Sequence, residues 1–176
     1  PHRGIETITY MLHGEVEHGD SLGNKGVIRP GDVQWMTAGS GIIHSEMPEQ
    51  TNGEMWGYQL WVNLPAKDKT VAPGYQSLEA ASIPSVALPG GAGNVRVIAG
   101  SFDGHNGPAR TFTPINIWDV RLNSGKTAAF ALPEGHTVAL AVLAGTVLVN
   151  GERIAREAQV VMMEREGGEV TIESNN

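Results

Sequence analysis

Residues 30–47 read PGDVQWMTAGSGIIHSEM, and the rest of the chain is arranged around them. Pro30-Gly31-Asp32 is a turn signal, Val33 to Met36 a short strand, and Ala38 to Gly41 a glycine-rich link. The strand that follows carries His44 and Glu46. Side chains two residues apart on an extended strand project from the same face, so this imidazole and this carboxylate point together as a two-ligand clamp. An isolated His-x-Glu pair is better read as part of the solvated face of an edge strand. His2 shifts the balance, because it heads another strand and closure of a sheet brings strand starts together. Two imidazoles and a carboxylate with open positions suit non-haem iron, and the same donors admit other divalent metals.

Outward from this stretch the chain reads as all-β. Ile5 to Leu12 is rich in β-branched and aromatic residues and stops at His13-Gly14. Glu15 to His18 leads into a polar turn over 20–26, and Val27-Ile28-Arg29 returns to the Pro-Gly-Asp turn. A polar link runs from Pro48 through Gly53, and Met55 to Leu64 is a strand with two tryptophans. Short strands at close spacing, separated by Gly and Pro, predict a small antiparallel barrel or sandwich. Residues 67–94 change character, with prolines at 73, 84 and 89, and read as an inter-domain linker with one helical turn near Ser77 to Ala81. The Gly90–Gly93 cluster lacks the Lys-Ser/Thr ending of a phosphate loop and reads as a plain turn. Strands resume at Val95 and continue to the end, with Asn150-Gly151 as a hairpin signal. The expected division is therefore 1–66, a linker 67–94, and 95–176.

Composition narrows the function. Twelve Lys and Arg stand against 19 Asp and Glu, a net charge of −7, which disfavours direct nucleic-acid binding but leaves a protein partner open. No apolar run is long enough to cross a bilayer. Without cysteine there is neither a disulfide framework nor a thiolate ligand, so any metal is held by nitrogen and oxygen. Thiol nucleophiles are likewise excluded, and no Ser-His-Asp order stands out. The chain opens on Pro-His-Arg-Gly without an initiator methionine and enters a strand at once. We expect a fragment whose missing start could carry a targeting segment; otherwise a cytoplasmic place is expected.

PHRGIETITYMLHG, then PGDVQWMTAGSGIIHSEMP, then YQLWVNLP closely resembles the pirin family over about the first sixty-five residues, and more loosely to the end. The resemblance implies a bicupin, two antiparallel jelly-roll β-barrels, with the first barrel truncated at its amino terminus. It implies a metal centre, Fe(II) foremost among divalent metals, held by two histidines of a His-Pro-His triplet and by a His-x-Glu pair. These map to His2, His44 and Glu46, with the triplet's first histidine falling before Pro1. Many cupins also use a glutamate near Glu6, but Glu6 lies one place off that position, held by Thr7, and one residue along a strand reverses the face. Glu6 should point away from the metal, with a salt bridge to Arg3 as its expected role. Aligning Gly145 with Gly14 puts Pro133 where His2 stands, so the second barrel is expected to carry no metal; His136 falls elsewhere. That barrel is expected to be incomplete, since members exchange terminal strands between halves.

For the parent protein the resemblance implies quercetin 2,3-dioxygenase activity. The metal would bind the flavonol 3-hydroxyl and Glu46 would take its proton. The alternative is a non-enzymatic regulator whose metal state sets its affinity for a protein partner, as in nuclear co-regulator members. His13, His18 and His105 read as solvated. Trp35, Trp56 and Trp61 could line a flavonoid pocket, though aromatic residues in strands more often fill a core; Met36, Ile43 and Met47 share that ambiguity.

Overall fold

The computed structural model describes residues 1–49 and 53–175, so part of the expected polar link between Pro48 and Gly53 lies outside the described residues. The first seven strands are β1 (Ile5–His13), β2 (Val16–Asp20), β3 (Lys25–Ile28), β4 (Val33–Thr37), β5 (His44–Pro48), β6 (Trp56–Asn63) and β7 (Gly74–Leu78). They form two antiparallel sheets, a larger one in the order β6-β1-β4-β7 and a smaller one in the order β3-β2-β5. Regular helix among the described residues is limited to single 3-10 turns, as an all-β chain requires.

Period-two alternation gives the larger sheet two distinct faces. One face presents Ile8, Tyr10, Val33, Trp35 and Leu78 and packs on Ile83, Ile98 and Ala99 in a buried apolar cluster. The other presents Thr7 and Thr9 from β1, opposite Met36 and Gln34 of β4 and opposite Trp61 and Gln59 of β6. Both faces of β1 and β4 are covered, and every residue of VQWMT is buried. The short strand read from sequence at Val33 to Met36 is therefore a central one.

The turns follow from the residues that make them. Arg29-Pro30-Gly31-Asp32 is a type II turn, with Pro30 in second place and Gly31 at φ 88° in third. The Asp32 side chain accepts a bond from the Arg29 N–H (2.9 Å) and one from the Ala80 N–H (2.7 Å). Gly39 sits at φ 50°, and a Cβ there would overlap the Val71 carbonyl oxygen. Only glycine lets the chain pass that carbonyl on its way from the larger sheet to β5.

Residues 67–94, expected as a linker, contain two strands. β7 pairs with β4 from Val33↔Leu78 to Thr37↔Gly74, and β8 (Ser85–Ala87) pairs with β9 (Gly93–Ala99). Pro73 precedes β7 and Pro84 precedes β8, so the prolines bound strands rather than break them. The helical turn lies at Ala80–Ser82, and Pro89–Gly91 is a second tight turn.

The chain divides into two compact units, residues 1–84 with 97–118 and residues 85–96 with 119–176. The boundary differs from the expected one because Ile98 and Ala99 pack in the apolar cluster of the first unit. The first unit also holds the short hairpin β10 (Ser101–Phe102) and β11 (His105–Asn106), and the division falls again within β12 (Ile117–Leu122). In the second unit β13 (Thr127–Ala131), β14 (Ala139–Ala141), β15 (Thr146–Val149), β16 (Arg153–Arg156), β17 (Val160–Met162) and β18 (Glu169–Ser174) follow. They form a sheet in the order β13-β18-β15-β16 and a β14-β17 pair. Asn150 and Gly151 take φ 52° and 69° between β15 and β16, the hairpin that their sequence announces.

Candidate metal centre

The smaller sheet sets the site. β2 and β5 pair so that His18 lies opposite Glu46 and Asp20 opposite His44. Directly paired residues share a face, so four polar side chains form one square on two strands. One ligand atom from each of His18, His44 and Glu46 lies within 4.8 Å of the others.

His44 and Glu46 share a face, as their spacing predicts. His2 is anchored rather than frayed: its N–H donates to the Ile42 carbonyl at 2.9 Å and its carbonyl accepts from the Ile42 N–H at 3.1 Å. Its ring lies beside that of His44, with centroids 5.0 Å apart, but it is outside the mutually close set, where His18 stands instead. His18, read from sequence as solvated, is 0% exposed. The signal available in the sequence was Val16-x-His18, an inward-facing alternation ahead of the turn, which gains meaning only once β2 pairs with β5. His13 and His105 are exposed as expected, His13 stacked on Trp56.

The larger sheet supplies the outer support. Gln59 donates through Nε2 to both oxygens of Glu46, at 3.1 and 2.8 Å, and Thr9 donates through Oγ1 at 2.9 Å. The Trp61 indole N–H donates to Gln59 Oε1 at 2.9 Å, which leaves the amide nitrogen facing Glu46. A carboxylate has about four lone-pair directions, so three donated bonds leave room for an ion. On the far side His18 Nε2 lies 3.2 Å from Asp20 Oδ2, with both side chains fully enclosed. Asp20 in turn accepts from the Leu22 N–H, the Asn24 N–H and the Asn24 side-chain amide. Burial pushes the Asp20 carboxyl up, but the bonds from Asn24, His18 and the backbone outweigh it and hold it below its ordinary value. Burial pushes the His44 imidazole down, reinforced by His2 and His18 and opposed by the charge of Glu46. A neutral ring keeps a nitrogen lone pair.

The donor set fits a divalent ion. Nδ1 of His18 and Nδ1 of His44 are buried without a hydrogen-bond partner, a costly state for a polar atom unless something else fills it. Imidazole with carboxylate is the donor chemistry of Zn, Fe, Ni and Co sites.

Glu6 points to the opposite face, as the one-residue offset predicts. Its expected partner Arg3 is not the one found: Glu6 Oε1 accepts from the Trp35 indole N–H at 2.9 Å and from Thr37 Oγ1 at 2.8 Å. The β1–β4 register places Thr37 opposite Glu6 and Trp35 opposite Ile8, within reach on the same face. Of the tryptophans weighed as a substrate wall, Trp35 is core at 0% exposure and Trp61 is 65% exposed, edge-on to His2 at 5.1 Å. Met36 is core, whereas Ile43 and Met47 are exposed.

The Pirin family pattern matches residues 1–62, and the pattern of the Pirin C-terminal cupin domain matches residues 117–176. The chain belongs to the pirin family. Among its relatives, a Pseudomonas aeruginosa protein provisionally named a quercetin 2,3-dioxygenase is 52% identical over 180 residues, covering 100% of this chain and 63% of the relative. A Thermoplasma acidophilum protein with the same provisional name is 34% identical, covering 99% of this chain and 73% of the relative. A crystal structure of quercetin 2,3-dioxygenase from Acinetobacter baumannii superposes with a TM-score of 0.95 at 42% identity, over 99% of this chain and 62% of that one. The bicupin architecture is thereby established for this pirin chain, which spans less than two thirds of the length of the Pseudomonas and Acinetobacter proteins. No helix among the described residues is long and apolar enough to cross a membrane.

Proposed function

We propose that this chain carries the metal centre of a pirin-type dioxygenase that opens the ring of a flavonol such as quercetin. The observation that supports it best is the gathering of imidazole nitrogens beside Glu46 on paired strands, in a chain whose relatives are named for that reaction. His2, His44 and Glu46 are the ligands that the resemblance to the family implies, and Fe(II) is the first candidate among divalent metals. When bound, the ion supplies Lewis-acid polarisation of the flavonol 3-hydroxyl. Glu46 takes the hydroxyl proton, and Gln59 and Thr9 hold its carboxylate in one orientation for that transfer. Trp61 offers an exposed indole at the rim, a flat apolar surface suited to a flavonoid ring.

The test is loss of quercetin absorbance with oxygen uptake by the iron-loaded chain. Glu46→Gln should abolish turnover, and a loaded wild-type chain that consumes neither quercetin nor oxygen would refute the enzymatic reading. A second reading, a metal-responsive protein-binding regulator, draws on the exposed apolar side chains of Ile43, just before β5, and Met47, within it. It predicts metal binding without turnover.

A further inference from the structure

We propose that the cavity beside β7 binds a small hydroxylated aromatic carboxylate, at a site separate from the metal centre. The cavity measures about 230 Å³ and lies wholly within the first unit, lined by β4, β7 and residues 110–112. That is below the roughly 300–1,000 Å³ of sites for drug-sized ligands, so its occupant is small. Gly74 makes the room. It pairs with Thr37 on the outer strand of the larger sheet, and a Cβ there would meet no atom within 4 Å. Gly74 is not among the glycines of positive φ, so its backbone does not require glycine. What the missing side chain leaves is space, and a glycine inside a strand often marks a place that a ligand approaches closely.

Arg110 sets the charge of the occupant. The Gln76 side chain holds its main chain twice, donating to the Arg110 carbonyl at 3.0 Å and accepting from the Arg110 N–H at 2.9 Å. The guanidinium itself has no carboxylate partner among the described residues, although acidic residues outnumber basic ones by 19 to 12. An arginine fixed at its root and unpaired at its tip offers a planar fork to a carboxylate. Phe112, 40% exposed, and Tyr75 add aromatic surface to the wall, which favours a ring. Thr37 completes the specification. Its hydroxyl hydrogen goes to Glu6 Oε1 at 2.8 Å, so any bond it makes to a ligand is one it accepts, and a phenolic hydroxyl supplies the donor. Tyr75 also packs on His18, with ring centroids 5.0 Å apart, but none of His2, His18, His44 and Glu46 lines the cavity.

The experiment is calorimetric titration of the metal-free chain with 4-hydroxybenzoate, with backbone amide signals followed by NMR to locate it. Saturable binding that shifts the Gly74 and Arg110 signals is expected. Arg110→Gln keeps the main-chain bonds to Gln76 and removes the charge, and it should weaken binding about 10- to 100-fold, the effect of losing hydrogen bonds to a charged group. Gly74→Leu should abolish binding by filling the cavity. Benzoate, which lacks the hydroxyl, should bind about 10-fold more weakly. Circular dichroism checks folding; if Gly74→Leu does not fold, Arg110→Gln and the comparison with benzoate decide. No saturable binding by the wild-type chain, unchanged affinity in Arg110→Gln, or equal affinity for benzoate would overturn the proposal. So would binding that shifts the His44 and Glu46 signals in place of those of Gly74 and Arg110, because it would put the ligand at the metal centre.

Discussion

β1 and β13 are both antiparallel strands with partners on the same kind of sheet, yet they are used differently. β1 is buried on both faces, one apolar with Ile8 and Tyr10 and one polar with Thr7 and Thr9. β13 alternates, burying Ala128 and Phe130 and exposing Thr127, Ala129 and Ala131. The residues facing each strand repeat the contrast. Thr9 lies opposite Gln34 and Gln59, whereas Ala128 lies opposite Ile172 and Phe130 opposite Val170. A sheet stabilised on one face is free to carry polar groups on the other, provided that their hydrogen bonds are made. In the first unit those groups surround His44 and Glu46; in the second the buried face of β13 meets the apolar Ile172 and Val170.

The largest effects should test the packing both units share. Phe130→Ala should destabilise by about 3–5 kcal/mol, the usual range for emptying a buried aromatic site. Trp35→Ala should cost more, by about 1–3 kcal/mol, because it also strips Glu6 of a donor in a buried place. Urea unfolding of the two variants compares them directly. Equal losses would mean that the Glu6 bond contributes nothing and that the first unit's core differs from the second's only in size.

The next effect should fall on one unit only. Metal should bind with a stoichiometry of one ion per chain and raise stability by about 2.7 kcal/mol at a hundredfold excess over the dissociation constant. Glu46→Gln should remove that gain, and His136→Gln in the second unit should keep it. A second bound ion, or loss of binding with His136→Gln, would show that the second barrel is not metal-free.

Much of this contrast is legible in the sequence. The strands β1, β4 and β6, the Pro-Gly turn and the Asn-Gly turn follow from local patterns, and the spacing of His44 and Glu46 gives their common face. Glu6 is instructive because period two gives its direction correctly but not its partners. Trp35 and Thr37 reach it through the β1–β4 register, which no local pattern specifies. His18 was hidden for the same reason. Beside a polar turn it looks solvated, and only its pairing opposite Glu46 encloses it. Residues 67–94 misled in composition, since prolines at strand boundaries resemble prolines in a linker until the pairing of β7 with β4 is known.

Thr9→Val separates scaffold from site more finely. The exchange keeps shape and removes a hydroxyl that donates to Glu46 and accepts from Gln59 at 3.0 Å. Stability should change by no more than about 1.5 kcal/mol, the net size of a single hydrogen bond, while metal affinity falls about 10-fold as support outside the ligand shell is lost. Thermal unfolding of the apo chain and calorimetric titration of the metal measure the two quantities. A large stability loss with unchanged affinity would place Thr9 in the scaffold and blur the line between the two faces of β1.

The smallest effect is one of pH, and it too should belong to the first unit. Burial holds His44 below its ordinary value of 6.5 in the folded chain. Between that value and the lower folded one, the unfolded chain binds a proton that the folded chain does not, so acidification favours unfolding. The His44 contribution is therefore complete above 6.5 and is lost as pH falls toward the folded value. Asp20 acts in a more acidic window. Its carboxyl is held below 3.8, so the stability it adds is present above 3.8 and disappears as pH drops through its folded value. Unfolding free energy of the apo chain, followed from pH 8 to pH 3, should thus decline in two stages. His44→Gln should erase the first and leave the second, while Asp20→Asn should do the reverse. A first stage that survives His44→Gln would assign it to another group and remove the titration evidence that this imidazole is kept neutral beside Glu46.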